Sequence, residues 1–481
     1  MRYTKIVCTL GPSSSTESEI TKLIEAGMDV ARMNFSHGTH EFHAATIDLV
    51  RQCSAKLNKP VAILQDLQGP KLRVGDLPPE GVQLKEGSTV FLYVVGETQP
   101  QQKAGQEYLP LLVPNLAKAV KPGSRILLDD GNLELNVTGV QGDTVVARVV
   151  LGGTITSHKG VNLPGTNLGI PGFTEKDRVD LEFGLSQDID VLAISFVERA
   201  EDIARVRKFI QETRPDRSSL PIIAKLERPE AITNLHEIMH EADGVMVARG
   251  DLAVETSPAI VPVIQKEAIR MANRHAKYVI TATQMLDSMI HNPRPTRAEA
   301  SDVANAVFDG TDAVMLSAET ANGSYPIESV KMMDEIVREA EKHSLEWSRL
   351  ADLPEEAKKD DALSISRAAR ELAHDRNVAD IAVFTHSGKT ALLMSKSRPR
   401  VPILACTPEE RTYKLLSMYW GVVPLVVPHA STLEQMVHYV DEALSKRFHL
   451  KPGQQVILIS GFPLDAMIPP NLALLHTLGQ S

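Results

Sequence analysis

The sequence predicts an α/β protein: a closed (β/α)8, or TIM, barrel with an inserted small β-barrel lid, followed by a separate α/β domain. Three observations carry that expectation. Eight short apolar runs rich in β-branched residues recur along the chain, mostly separated by helix-length amphipathic segments. Polar side chains gather at the C-terminal end of nearly every run, which is where a parallel barrel assembles its active site. Between the third and fourth runs helical periodicity gives way to short alternating stretches with Gly, Pro and Asp-Gly turns, as in an all-β insertion. A doubly wound open sheet is the alternative, but it needs functional groups only at its switch point.

In order, the runs are TKIVCTL from Thr4, DVARMNF from Asp29, PVAILQDL from Pro60, DVLAISFV from Asp190, PIIAKLE from Pro221, GVMVARG from Gly244, YVITATQ from Tyr278 and AVMLSAET from Ala313. Their ends carry Arg32, Asn34, Asp66, Ser195, Lys225, Glu227, Asp251, Thr283 and Glu319. From about Val74 to Asn167 the texture changes to stretches such as LELNVTGV (from Leu133) and TVVARVV (from Thr144). A unit hung on one barrel loop sits over the mouth and acts as a lid that excludes water. The barrel resumes near Phe173, where Thr174 and Asp177 have capping-box spacing. A stronger box, Thr296 with Glu299, opens a helix through Val303 and Val307. The polar stretch from His343 to Asp361 reads as a linker. Beyond it, IAVFT (Ile381), VPILACT (Val401), VVPLVV (Val422) and QVILIS (Gln455) form an independent α/β unit. The expected boundaries are 1–70 with 168–342 for the barrel, 71–167 for the insertion and 343–481 for the last domain.

A chain of 481 residues calls for two or three domains, and 43% hydrophobic residues supply their cores. The formal charge of −10 disfavours nucleic acid as a partner. No apolar run reaches membrane-spanning length, so no membrane partner is expected, and IVCTL is too short for the h-region of a signal peptide. Cys8, Cys53 and Cys406 are an odd, widely spaced trio and read as reduced thiols in a cytoplasmic protein. No His or Cys grouping is read as having zinc spacing.

The most informative segment is Pro221–Glu227. Lys225 and Glu227 lie two residues apart on one strand, so ammonium and carboxylate share a face. The next strand leads to Asp251. A cation and two carboxylates at neighbouring strand ends suit a divalent metal and an anionic substrate; two hard oxygen ligands fit Mg2+ or Mn2+, with substrate and water completing the shell. In Ala248-Arg249-Gly250-Asp251, a Gly just past the strand lets backbone N–H groups approach an anion. In the last domain, Thr385, His386, Ser387, Gly388, Lys389 and Thr390 place hydroxyls, a Gly and a Lys at a helix start, a phosphate pocket that is not a Walker A loop because Val383 stands where the earlier Gly is required. A plain helix cap is the alternative.

With these motifs in view the sequence resembles the pyruvate kinase family. The match runs over CTLGPSS (8–14), ARMNFSHG (31–38), DLQGPKLRVG (66–75), KGVNLPG (159–165), EKD (175–177), AKLE (224–227), MVARGDLAVE (246–255) and the long segment 280–321. The resemblance implies phosphoryl transfer from phosphoenolpyruvate to ADP, giving pyruvate and ATP, in a cytoplasmic homotetramer. Glu227 and Asp251 match the metal carboxylates, and Lys225 the lysine that stabilises the moving phosphoryl group. Arg32 and Arg73 match phosphate-gripping arginines, whose bidentate contacts a lysine would not reproduce. The segment Ala248–Asp251, with Thr283 nearby, matches the substrate-carboxylate site. Asn34, Phe35, Ser36 and His37 match the nucleotide-side loop, with Lys159 reaching in from the lid. A proton relay through Thr283, Ser317 and Glu319 is expected to protonate the enolate; bracing of the barrel mouth is the alternative role for Ser317 and Glu319. The segment Thr385–Thr390 matches the loop that binds a phosphorylated metabolite effector. Asn322 departs from the family's lysine, and no role is carried to it.

A second departure concerns K+. Many members hold K+ beside the phosphoryl group with a Glu where this chain has Lys71. A fixed ammonium supplies a charge that never dissociates, and Leu67, Gln68 and Val74 match the K+-independent members. Asn34, Ser36, Asp66 and Leu67 then remain as a remnant of the cation site, with Asp66 expected to pair with Lys71. Two rival functions stay in view. A metal-dependent lyase or aldolase acting on a pyruvate enolate needs no nucleotide loop, and an inactive sugar-phosphate sensor needs none of Lys225, Glu227, Asp251 and Thr283.

Overall fold

A computed structural model describes residues 1–97, 105–166, 168–347, 360–448, 450–464 and 468–479. The eight apolar runs form strands Lys5–Thr9, Val30–Asn34, Ala62–Asp66, Val191–Ile194, Ile222–Leu226, Gly244–Ala248, Tyr278–Ala282 and Ala313–Leu316. Each pairs in parallel with its neighbours, and the first closes on the eighth through Lys5–Ala313 and Val7–Met315. Their residues are buried almost throughout, because helices cover the outside and side chains fill the inside. Parallel closure brings all eight C-terminal ends to one rim, so the polar strand-end residues meet there. Both expected capping boxes are present, at Thr174 with Asp177 and at Thr296 with Glu299.

Between the third and fourth barrel strands, a seven-stranded sheet runs from Arg73–Val74 to Val161–Asn162, beside the short pair Val82–Leu84 with Gly153–Ile155. A bridge between Arg73 and Gly160 brings the two edges of the larger sheet together around a core of Val90, Leu92, Leu109, Ile126, Leu135 and Val145. Asn162 Nδ2 donates to Glu255 Oε1 at 2.8 Å, tying this unit to the short helix Arg249–Glu255 after the sixth barrel strand. Of the stretch expected to be a linker, the first residues continue the helix Pro326–Trp347, residues 348–359 lie outside the described residues, and Asp360 already caps the helix Asp361–Arg376.

The last α/β unit holds the four expected strands and a fifth, Leu472–Thr477, added antiparallel at one edge. It packs against the N-terminal end of the barrel: Val7, Val30, Ala62, Ile280 and Ala313 share one apolar cluster with Ile381, Val383, Ile403 and Ile457. Buried charges stitch the same junction. Asp312, 1% exposed, receives Lys396 on one carboxylate oxygen and Arg398, at 2.7 Å, on the other. Arg398 also lies 4.5 Å over the Trp420 ring, and Lys5 Nζ donates to the Val422 carbonyl at 2.8 Å. Asp312→Ala leaves two buried cations without a counter-charge. It is expected to cost about 3–5 kcal/mol of stability, read from the urea midpoint; a loss under about 1 kcal/mol contradicts this account of the junction.

Candidate active site

The rim is organised by a chain of buried charges. Arg32, on the second strand, donates through Nε to Asp66 Oδ2 at 2.7 Å and through an Nη to Thr9 Oγ1 at 2.8 Å. Asp66, on the third strand, also faces Lys225 Nζ at 3.2 Å. Lys225 donates to Ser195 Oγ at 2.8 Å and pairs with Glu227 Oε1 at 2.8 Å. Ser195 in turn donates to the Leu67 carbonyl, and Glu227 Oε2 accepts the Phe196 N–H at 2.7 Å. Burial pulls the Lys225 pKa down, but Asp66 and then Glu227 outweigh it, so the ammonium is held above its ordinary value. A lysine in that setting is a fixed positive charge, not a base.

Asp251 stands beside this chain. Burial first, and the neighbouring Glu227 second, raise its carboxyl to about 6. Two carboxylates that repel each other at a mostly buried rim, both hard oxygen donors, fit a divalent cation. Among the described residues there is no group of three or more His, Cys, Asp or Glu set to hold a metal. An ion of the Mg2+ class takes one or two carboxylates and finishes its shell with substrate oxygens and water.

Local backbone geometry serves the rim. Gly69, at φ +68°, has no room for a Cβ, which would meet the Phe196 ring at 2.8 Å and Ser195 Cβ at 3.1 Å. Asp177 Oδ1 accepts the Gly69 N–H at 3.0 Å and so fixes the turn that carries Lys71. A Cβ on Gly250 would meet Thr283 Cγ2 at 2.8 Å, so the segment Ala248–Asp251 and Thr283 pack directly together. Phe196, Thr283 and Gln284 all have positive φ, at 55°, 75° and 54°. For a β-branched threonine this is costly, of order 1–3 kcal/mol, and strain of this kind collects at functional sites. The Arg249 side chain turns away from the rim, donating to the carbonyls of Ala282 (3.2 Å) and Thr283 (2.8 Å) and pairing with Asp302 at 2.7 Å. Arg249 therefore braces the strained threonine.

Around the other side sits a basic cluster. The His37 pKa is lowered by partial burial first, then by Lys71, Arg73 and Arg32, all close enough for their charges to reach it. Lys71 is lowered too, by desolvation in the cleft and then by Arg73, while Asp251 and Asp130 pull the other way. The expected pairing of Lys71 with Asp66 is not found: Asp66 is taken by Arg32 and Lys225 at the strand ends, and Lys71 lies beyond the Gly69 turn. Asn34 Oδ1 accepts the Ser36 N–H at 3.2 Å. The Phe35 ring is core, stacked on His43 at 4.2 Å, and its carbonyl accepts from Lys176 Nζ. Lys159, on the inserted unit, pairs with Asp129 at 2.7 Å, and Arg73 donates to the His158 carbonyl.

Glu319 is 1% exposed. Its carboxylate accepts the N–H groups of Leu286 (3.1 Å) and Ser317 (2.7 Å), and burial raises its pKa. At the far end of the chain, Thr385 Oγ1 accepts the Gly388 N–H at 3.0 Å, Thr385 and Thr390 are buried, and Ser387 and Lys389 are exposed. The charge of Lys389 reaches Lys277 at the foot of the seventh barrel strand. Lys396, which pairs with Asp312, ends the helix that Lys389 begins.

Asp130 was missed from sequence. It sits at positive φ in a lid turn, Asp129-Asp130-Gly131, and its charge reaches both Lys71 and Asp251. Its only sequence signal was a turn-forming Asp-Asp-Gly.

Comparison with known proteins bears on all of this. Residues 1–330 match the family model described as pyruvate kinase, barrel domain, and residues 363–475 the one described as pyruvate kinase, alpha/beta domain. Curated relatives named pyruvate kinase include those of Geobacillus stearothermophilus (42% identical, covering 99% of this chain and 80% of the relative), Clostridium acetobutylicum (42%, 98% of each) and Sporosarcina psychrophila (41%, 100% and 81%).

Proposed function

This chain belongs to the pyruvate kinase family, the glycolytic phosphotransferases, and we propose that it moves the phosphoryl group of phosphoenolpyruvate to ADP, with Mg2+ (or Mn2+) held by Glu227 and Asp251. The observation that carries this reading is the buried chain Arg32–Asp66–Lys225–Glu227 on the barrel rim beside Asp251. The terminal oxygen of ADP forms a bond to phosphorus as the bond to the enol oxygen breaks, and the remaining enolate takes a proton at its methylene carbon. Such a transfer needs positioned positive charge more than covalent chemistry. Lys225 and Arg32 supply that charge to the phosphoryl oxygens. The bound divalent cation would add charge neutralisation between the two substrates. Backbone N–H groups of Ala248–Asp251, with the Thr283 hydroxyl, receive the substrate carboxylate. Asn34, Phe35 through its backbone, Ser36, His37, Arg73 and Lys159 form the nucleotide side. Thr283 and Ser317 bound the path of the enolate proton, with Glu319 fixing the backbone there. Pyruvate release that requires ADP tests this reading; equal release without ADP favours the lyase.

Lys71 takes the place of a dissociable K+. Its ammonium is close enough to Lys225 and Asp251 for their charges to act on it, and Asn34, Ser36, Asp66 and Leu67 are the remnant of the cation site it replaces. Full turnover is therefore expected in tetramethylammonium buffer without K+, and Lys71→Glu is expected to create a K+ requirement. Strong K+ activation of the unmodified enzyme contradicts this role.

The segment Thr385–Thr390 takes a phosphorylated metabolite and acts on the barrel through the helix joining Lys389 to Lys396 and its partner Asp312. Linkage then requires phosphoenolpyruvate to tighten effector binding by the factor with which the effector tightens phosphoenolpyruvate. Ser387→Ala combined with Lys389→Ala is expected to remove the response to activating sugar phosphates or nucleoside monophosphates. An intact response in that variant leaves the loop as a helix cap. A cytoplasmic homotetramer completes the proposal.

A further inference from the structure

The loop that leaves the second barrel strand is held from behind by two side chains that the proposed reaction does not use. Past Asn34 its backbone turns two carbonyls, those of Phe35 and His37, toward neighbouring helices. His43, on the helix His40–Lys56, donates through Nε2 to the His37 carbonyl at 2.9 Å. Lys176, on the helix Glu175–Ser186, donates through Nζ to the Phe35 carbonyl at 2.8 Å. Both holders are themselves fixed. The His43 ring stacks on Phe35 at 4.2 Å with 14° between planes. Lys176 pairs with the buried Asp180, whose other oxygen meets His40 Nε2 at 2.8 Å.

The contacts of His43 leave it one form. A carbonyl oxygen only accepts, so the hydrogen-bond network assigns the proton to Nε2. Nδ1 is buried and has no hydrogen-bond partner among the described residues. A second proton there would find no acceptor, and burial accordingly holds the His43 pKa below its ordinary value. A phenylalanine would fill this stacked, buried place without leaving a bare nitrogen, so packing alone does not call for imidazole. What histidine adds is the N–H aimed at His37. The loop also turns directly over that nitrogen: a Cβ on Gly38, at φ +80°, would meet His43 Nε2 at 3.2 Å.

We infer that His43 and Lys176 are positioning residues for the nucleoside diphosphate, acting through the His37 and Phe35 carbonyls to aim the His37 ring into the basic cluster of Lys71, Arg73 and Arg32. This rests on the assignment of Asn34–His37 to the nucleotide side. Neither side chain touches the nucleotide in this account; each fixes the backbone that presents His37, whose charge environment those three cations set. The effect is confined to one substrate. Arg32, on the same strand, is held separately by Asp66 and Thr9, and Lys225 by Ser195 and Glu227. Loosening the loop therefore leaves the groups proposed for phosphoenolpyruvate in place.

Steady-state kinetics with KM measured separately for ADP and phosphoenolpyruvate, beside circular dichroism for the fold, tests this. His43→Phe keeps the stack and deletes the donor. Its KM for ADP is expected to rise about 3–10-fold, the usual worth of one hydrogen bond, with KM for phosphoenolpyruvate unchanged. His43→Gln, whose amide N–H reaches the same carbonyl, should recover the affinity for ADP although it loses the stack. Lys176→Met should raise KM for ADP in the same way, and its half-exposed site keeps the test open if the His43 variants misfold. His37→Ala separates the two layers of the argument. A raised KM for ADP in His37→Ala with none in His43→Phe and Lys176→Met overturns the positioning role alone. An unchanged KM for ADP in His37→Ala removes the loop from the nucleotide side and overturns both. Equal rises in the two KM values also overturn the inference, because they report general loosening of the rim.

Discussion

Lys225→Met is expected to lower turnover by about 10²–10³-fold or more, the usual loss when one charge-stabilising contact at a transition state is removed. Methionine keeps the bulk of the side chain, so the loss reports charge. Asp66 keeps Arg32 at 2.7 Å and Glu227 keeps the Phe196 N–H, so the rim retains its polar anchors while two buried carboxylates lose their shared cation. Some loss of stability is therefore expected as well, and circular dichroism with urea unfolding separates it from the catalytic loss. Lys225→Arg should retain the fold but recover little turnover, because a planar guanidinium cannot occupy the point where Ser195, Asp66 and Glu227 converge. Near-normal turnover in folded Lys225→Met removes this residue from the mechanism.

Glu227→Gln and Asp251→Asn should each raise the half-saturating Mg2+ concentration at least about tenfold and lower turnover, since each deletes a charged hard ligand. The two variants should differ in one respect. Glu227 also pairs with Lys225 and accepts the Phe196 N–H, so its loss disturbs the lysine and the strained backbone together. Asp251 makes no such contact with Lys225, and Asp251→Asn removes a carboxylate that the neighbouring Glu227 already destabilises. Glu227→Gln is therefore expected to lose more turnover, and Asp251→Asn to lose mainly metal affinity. Unchanged Mg2+ dependence in both places the metal elsewhere.

Much of this architecture could be read from the sequence because barrel strands are local. Eight buried runs with polar ends announce themselves without knowledge of their partners, and the two-residue period puts Lys225 and Glu227 on one face. What escaped depends on long-range geometry. Asp66 was expected to meet Lys71, but closure of the barrel puts it between Arg32 and Lys225, from strands on either side of it around the rim. Arg249 lies in a segment expected to face an anion, yet its side chain supports Ala282 and Thr283, a choice set by the neighbouring strand. Asp130 enters the cleft only because the inserted sheet folds over it. The edge strand Leu472–Thr477 carries a weak alternating pattern after Pro469 and Pro470 and gains its identity from pairing with Gln455–Ser460.

The central claim is that phosphorus leaves phosphoenolpyruvate and arrives on ADP at this rim. Phosphorus NMR of the purified chain with phosphoenolpyruvate, ADP and Mg2+, in tetramethylammonium buffer, follows that atom directly. The account predicts that the phosphoenolpyruvate resonance falls as the γ-phosphate resonance of ATP grows in equal amount, with no build-up of free phosphate. Growth of inorganic phosphate instead, at a rate indifferent to ADP, would contradict it.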